Sequence, residues 1–311
     1  MGINCSTTPK TTDCLYDTAS HAGLVPDASL DASLASLLSL NSSWALEQQY
    51  SALKSSMTWQ QRSAFNHDLH TLFGGNTTVS YGGVGVIALA LSVLFEMLAH
   101  HQTTRLGSWS SEVRPPPPDP IRRMFGADTG SNISSIASMF LKQIPGAAND
   151  LEKMAALLED YERRLRSELT DIYGRMMLQE GSALSSARVK QWINGAALHI
   201  HTFLHWKRLT NPSSEEVLSL YYLQHVDPLL MIYRDYLHKV VKVLPALLIV
   251  EPLRNVSHGV HYKVCERRAI QRTLVERFLS EQDLQRGKDF FQNSHKHHDA
   301  LIAQQGHFQL V

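Results

Sequence analysis

Apolar positions recur with helical spacing through most of this chain, and two stretches interrupt the pattern. Leucines 30, 34, 37, 38 and 40 hint at a short helix in an otherwise polar start rich in Ser, Thr and Asp. Trp44, Leu46, Tyr50 and Leu53 then form one apolar face. Thr58 reads as the N-cap of a helix that ends at Phe73, before Gly74-Gly75. After a Gly-rich loop comes "YGGVGVIALALSVLFEML", residues 81–98, in which Ser92 is the only polar side chain between Val84 and Phe95.

Residues 102–130 break the pattern. Four consecutive prolines in "RPPPPDP" exclude a continuous helix and predict a linker or strap of polyproline II character. Helical signals then resume. One helix is expected from Ser131 or Asn132 to Ile144, stopped by Pro145-Gly146. A long one follows from an Asn149 or Asp150 cap to Glu180, with Leu151, Leu158, Leu165 and Ile172 every seven residues. Ala155, Leu169 and Met176 lie beside that stripe, and Glu159, Asp160, Arg163, Arg164 and Arg166 lie opposite it. Further helices are expected over 183–209, from Ser213 toward Pro245 with a bend at Pro228, from His258 to Leu279, and from Glu281 to Gln304. "VLPALLIVEPL" is expected to be an apolar turn or a short buried segment. The pattern predicts an all-α protein, an antiparallel bundle of long amphipathic helices with coiled-coil-like packing. The expected divisions are a polar N-terminal arm at 1–42, a helical segment at 43–101, the proline-rich linker at 102–130 and the bundle at 131–311.

Composition adds limits. Of 311 residues 43% are hydrophobic, enough for a substantial core. The 29 basic and 29 acidic residues cancel, so no global field favours nucleic acid or anionic lipid. Three cysteines, Cys5, Cys14 and Cys265, make no disulfide framework, and a secretory signal pattern is missing. Both point to a reducing, cytoplasmic setting.

The apolar segment raises the main functional question. Eighteen positions span roughly 27 Å at about 1.5 Å per residue, short of a membrane core of about 30 Å. No Lys/Arg cluster flanks it to set an orientation. It is a buried core helix, a helix that enters a membrane on a trigger through Val84, Val86, Ile87, Leu89, Leu91, Val93, Leu94 and Phe95, or a constitutive span. Glu96, one turn before His100, supplies an acid switch together with His100 and His101. Protonating Glu96 removes a charge from the segment, while the histidines gain one at its end. The layout, long amphipathic helices plus one glycine-flanked apolar segment, is similar in outline to α-helical pore-forming proteins. The resemblance is one of layout and carries no functional residue across.

Other motifs give further expectations. "MGINCS" matches an N-myristoylation signal at Gly2, with Cys5 placed for a second acyl chain; chance is the competing explanation. Arg114, Pro117 and Pro120 fit a basic-x-x-Pro-x-x-Pro ligand for an aromatic groove, or form a stiff spacer. The pairs His67/His70, His201/His205, His258/His261 and His295/His298 have the spacing of two metal ligands on one helix face, without the glutamate of a zinc-protease motif. Cys265 lies near Arg267 and Arg268, as a low-pKa thiol would, but such a cysteine is more often a small buried hydrophobe. Glu159, Asp160 and Glu162 read as a solvated helix face. No nucleophile elbow, phosphate-binding loop or C-x-x-C appears.

The expected function is therefore non-enzymatic, without metal or cofactor. It is a peripheral membrane protein that is acylated, conditionally inserting, or both, with protein partners or self-association and no nucleic acid. The alternative is a soluble helical adaptor; a third, metal-dependent enzyme would use the paired histidines.

Overall fold

The computed structural model describes residues 8–105, 119–126, 131–178, 184–211, 217–259, 262 and 266–310. Helices dominate them. They are α1 (Thr8–His21), α2 (Ala32–Leu37), α3 (Ser42–Ser56), α4 (Trp59–Leu72), α5 (Gly85–Arg105), α6 (Pro120–Phe125) and α7 (Ile133–Ala147). Then come α8 (Leu151–Met177), α9 (Ser186–Thr210), α10 (Leu218–Val240), α11 (Arg267–Glu281), α12 (Leu284–Lys296) and α13 (His298–Ala303). Two small antiparallel sheets complete them. One is β1 (Thr78–Val79) with β5 (Phe308–Gln309); the other is β2 (Lys242–Leu244), β3 (Leu247–Glu251) and β4 (Arg254–Ser257) in sequential order.

Local signals explain many boundaries. Thr58 and Gln61 close a reciprocal capping box at the start of α4. Asp150 accepts from the Lys153 amide and starts α8. Asn211, in left-handed conformation, ends α9. Pro145 and Pro228 lie inside α7 and α10 rather than ending them.

Three sequence expectations need correction. "VLPALLIVEPL" is a β-meander and not an apolar turn. Pro245-Ala246 and Pro252-Leu253 are two-residue connections, and Ala246 and Leu253 take positive φ. Proline first and positive φ second is the type II turn pattern, and it folds Val243, Leu248 and Val250 inward. The helix expected over 281–304 is split in two, with His297 between α12 and α13. The supposed polar arm carries α1 besides the short helix α2 that its leucines suggested, and it buries Leu15, Leu30, Leu34, Leu37 and Leu38.

Two helices form the centre. In α9 every residue from Gln191 to His205 is buried, although its sequence alternates polar and apolar groups. Gly195 permits close approach of α8: a Cβ there would sit 2.9 Å from Leu169 Cδ2. In α5, residues 85–95 are buried, wrapped by α2, α3, α4, α6, α7 and α9. The C-terminal strand closes over this helix, with the Phe308 ring 5.5 Å from Phe95 and 5.2 Å from Tyr50. On α8, Leu158, Leu165, Leu169, Ile172 and Met176 are core, but Leu151 is 57% exposed and leaves the expected stripe. Trp44 likewise leaves the expected face of α3 and is 68% exposed.

Candidate functional site

α5 begins at the Gly-rich loop and places Val84, Val86, Ile87, Leu89, Leu91, Val93, Leu94 and Phe95 in the core. No helix among the described residues is long and apolar enough to cross a membrane. Where the helix meets its first carboxylate, polar clamping replaces apolar packing. Glu96 takes a two-pronged ion pair from Arg123 of α6, at 2.8 and 3.3 Å, and a hydrogen bond from Gln49 of α3 at 3.0 Å. Arg123 also reaches Asp31 at 3.6 Å and donates to the Ser33 hydroxyl at 3.1 Å, so one guanidinium joins α6, α5 and the start of α2. The sequence pairing of Glu96 with His100 missed this partner because Arg123 lies within the 102–130 stretch read as a proline-rich linker. His100 is partly buried and His101 exposed near the end of α5.

Gly2, Cys5, Arg114, Pro117, His261 and Cys265 lie outside the described residues. Pro120 does not belong to an exposed strap. It is buried as the first residue of α6, with Asp119 as N-cap accepting from the Ile121 amide. A basic-x-x-Pro-x-x-Pro ligand that includes Pro120 would therefore have to unseat α6. Cys14 is disulfide-bonded, contrary to the expectation of reduced thiols, and its partner lies outside the described residues.

The paired histidines separate into exposed and buried sets. His67 and His70 lie on the outward side of α4, and no cluster of three metal-ligating side chains occurs among the described residues. His201 and His205 are buried in α9, and Arg208 follows them on the same face at helical spacing. Arg208 donates to the Leu301 carbonyl and to Ile302 O (3.0 Å), which capture the end of α13. It also donates to His205 Nδ1, so that nitrogen must hold a lone pair and the ring is neutral. Burial and then the Arg208 charge drive His201 down to about 3 and His205 well below its usual value. Burial in turn lowers Arg208 to about 10. Tyr81 sits over this group, its ring 5.4 Å edge-on to His205 and 5.8 Å from the guanidinium. The His201–His205 spacing was visible in sequence; Arg208, seven residues after His201, could have been read from the same face.

A groove of about 450 Å³ between α2 and α12 ends against this cluster. Phe290 lines it and packs on the His201 ring at 5.8 Å. Leu301 lines it and gives its carbonyl to Arg208.

A second buried network corrects the reading of α8. Glu162 accepts from His199 Nε2 at 3.1 Å and from Arg166 at 2.7 Å, and His199 Nδ1 meets the Tyr222 hydroxyl at 2.6 Å. Burial alone would raise the Glu162 carboxyl; the His199 and Arg166 hydrogen bonds hold it below its usual value. Glu162 thus ties α8 to α9 and α10 and is not part of a purely solvated face.

Comparison with protein-family models, with curated proteins and with solved structures finds no match to this chain.

Proposed function

We propose that this chain is a non-enzymatic helical protein that keeps an apolar helix sheathed and associates with membrane lipid by exposing it. The long helices would form an antiparallel frame around α5, as in the layout of α-helical pore-forming proteins. Acylation at Gly2 and Cys5 would supply peripheral attachment. The observation that carries this proposal is the combination on α5: a buried apolar stretch broken only by Ser92, then a single carboxylate held by Arg123 from a helix only six residues long. Six residues cannot form a stable helix alone, so α6 holds its place by docking.

The proposed trigger is release of a clasp, in place of the acid switch expected at Glu96, His100 and His101. Burial lowers His201 to about 3 and lowers His205 as well, which opposes charging of the core beside α5 in mild acid. Release of the Arg123 clasp is the step that would free the helix. The Cys14 disulfide tells against a reducing cytoplasm, and the proposal is limited to peripheral membrane association.

Liposome co-sedimentation and dye release test the proposal. Arg123→Ala should bind or permeabilise vesicles more strongly than wild type. If neither protein does so, α5 is plain core. A soluble interaction protein then takes its place. That alternative is favoured by a groove of about 590 Å³ between α10 and α11, where Met231 is 70% exposed beside Leu230 and Leu279 and the rim carries Asp227, Arg234 and Glu276. An apolar floor with a charged rim is interface anatomy.

A further inference from the structure

The N-terminus of α5 is buried and incompletely hydrogen-bonded. Val84 N–H donates to Tyr81 O at 2.9 Å, and the Ile87 and Ala88 amides both donate to Val84 O, at 3.2 and 3.3 Å. Between them, the amides of Gly85 and Val86 have no acceptor among the described residues. Val84 and Val86 are fully buried, so solvent does not substitute. Buried amides without partners are rare and call for a ligand or an ordered water.

The same place lacks a counter-charge. Gly85 has φ of 49°, and a Cβ there would lie 3.5 Å from His201 Nδ1, so the helix start and the imidazole face each other across the space a side chain would fill. His201 Nε2 is itself buried without a partner. Arg208 is half-buried nearby and, among the described residues, forms no ion pair with a carboxylate; it donates instead to two carbonyls and to His205. Those carbonyls end a helix of six residues, whose dipole compensates a full charge only in part. Buried charges are ordinarily paired.

We propose that the Gly-rich turn at 82–85, the first amides of α5, His201 and Arg208 form an internal binding site for a small monoanion. The chemistry is that of helix N-terminal anion sites: converging amides and the positive end of the dipole, with a guanidinium to neutralise the charge. A halide or the carboxylate of a very small acid fits this donor set. A large or doubly charged oxyanion does not, because the donor set includes a single guanidinium, that of the half-buried Arg208. Phe290 and Leu301 separate the site from the α2–α12 groove, so entry from that side requires these two side chains to move. The site does not depend on membrane association.

Thermal melts of the full chain in bromide, formate, sulfate and gluconate at matched ionic strength test the proposal. Bromide or formate should raise Tm saturably above gluconate, as expected for a ligand that binds only the folded state, and sulfate should not. The specific increment should vanish in Gly85→Ala, which fills the space beside His201, and in Arg208→Gln. Should either variant fail to fold, chloride NMR linewidth on the wild-type protein decides. Broadening by the folded chain that formate reverses supports the site. Equal melts in all four salts together with no broadening overturns it. So does a bromide increment unchanged in Gly85→Ala.

Discussion

Arg123 closes a two-pronged ion pair on Glu96 from 27 residues further along the chain, at 2.8 and 3.3 Å, with both side chains more than half buried. Sequence-local pairing on α5 would have used His100. The tertiary partner instead arrives on α6, whose Ile121, Met124 and Phe125 are buried beside α5, α7 and α9. A double-mutant cycle with Arg123→Ala and Glu96→Gln should give a coupling energy of about 1–3 kcal/mol by urea denaturation. Additive effects would mean that α6 is held by apolar packing alone.

The stripe on α8 offers a contrast within one helix. Leu165 is fully buried and Leu151 is mostly exposed. Leu165→Ala should cost about 2–5 kcal/mol, whereas Leu151→Ala should stay within about 0.5 kcal/mol. Equilibrium denaturation of the two variants side by side checks the register.

Acid should destabilise the whole fold before it does anything selective to α5. His201 and His205 have folded pKa values below the unfolded value, with His201 at about 3. Below an unfolded pKa of about 6.5 the unfolded chain binds protons that the folded chain does not. The stability these groups contribute is therefore present above that pH and is lost as pH falls below it, for His201 down to about 3. Within that window His201 contributes a slope of about 1.4 kcal/mol per pH unit. Urea melts between pH 7 and 4 should show the decline, and His201→Gln should flatten it. An unchanged slope in that variant would place the proton uptake elsewhere.

The disulfide at Cys14 makes a chemical prediction. The chain has three cysteines, and pairing Cys14 with either of the others leaves one thiol. Alkylation of unreduced, denatured monomer followed by intact mass should add one label, and three after reduction. Three labels before reduction would return the protein to the reduced state expected from its cysteine count.

What the sequence determined by itself was local. Thr58 with Gln61 defines a capping box because donor and acceptor lie three residues apart, and Asp150 starts α8 for the same reason. The apolar run at 84–95 had to be buried somewhere, and the α8 stripe named most of its core face, because 3.6-residue periodicity is written in neighbouring residues. Long-range partners were not legible. α9 mixes Asn194, His199, His201 and His205 with apolar residues, and its pattern does not announce a helix buried on every side. Asn194 is satisfied by Ser29 and Asp31, His199 by Glu162 and Tyr222, and His205 by Arg208, whereas His201 Nε2 is buried without a partner among the described residues. The Arg123 clasp and the unpartnered amides of α5 were invisible for the same reason. A buried polar group is acceptable or costly according to what lies within about 3 Å of it, and only the tertiary packing of distant segments decides what that is.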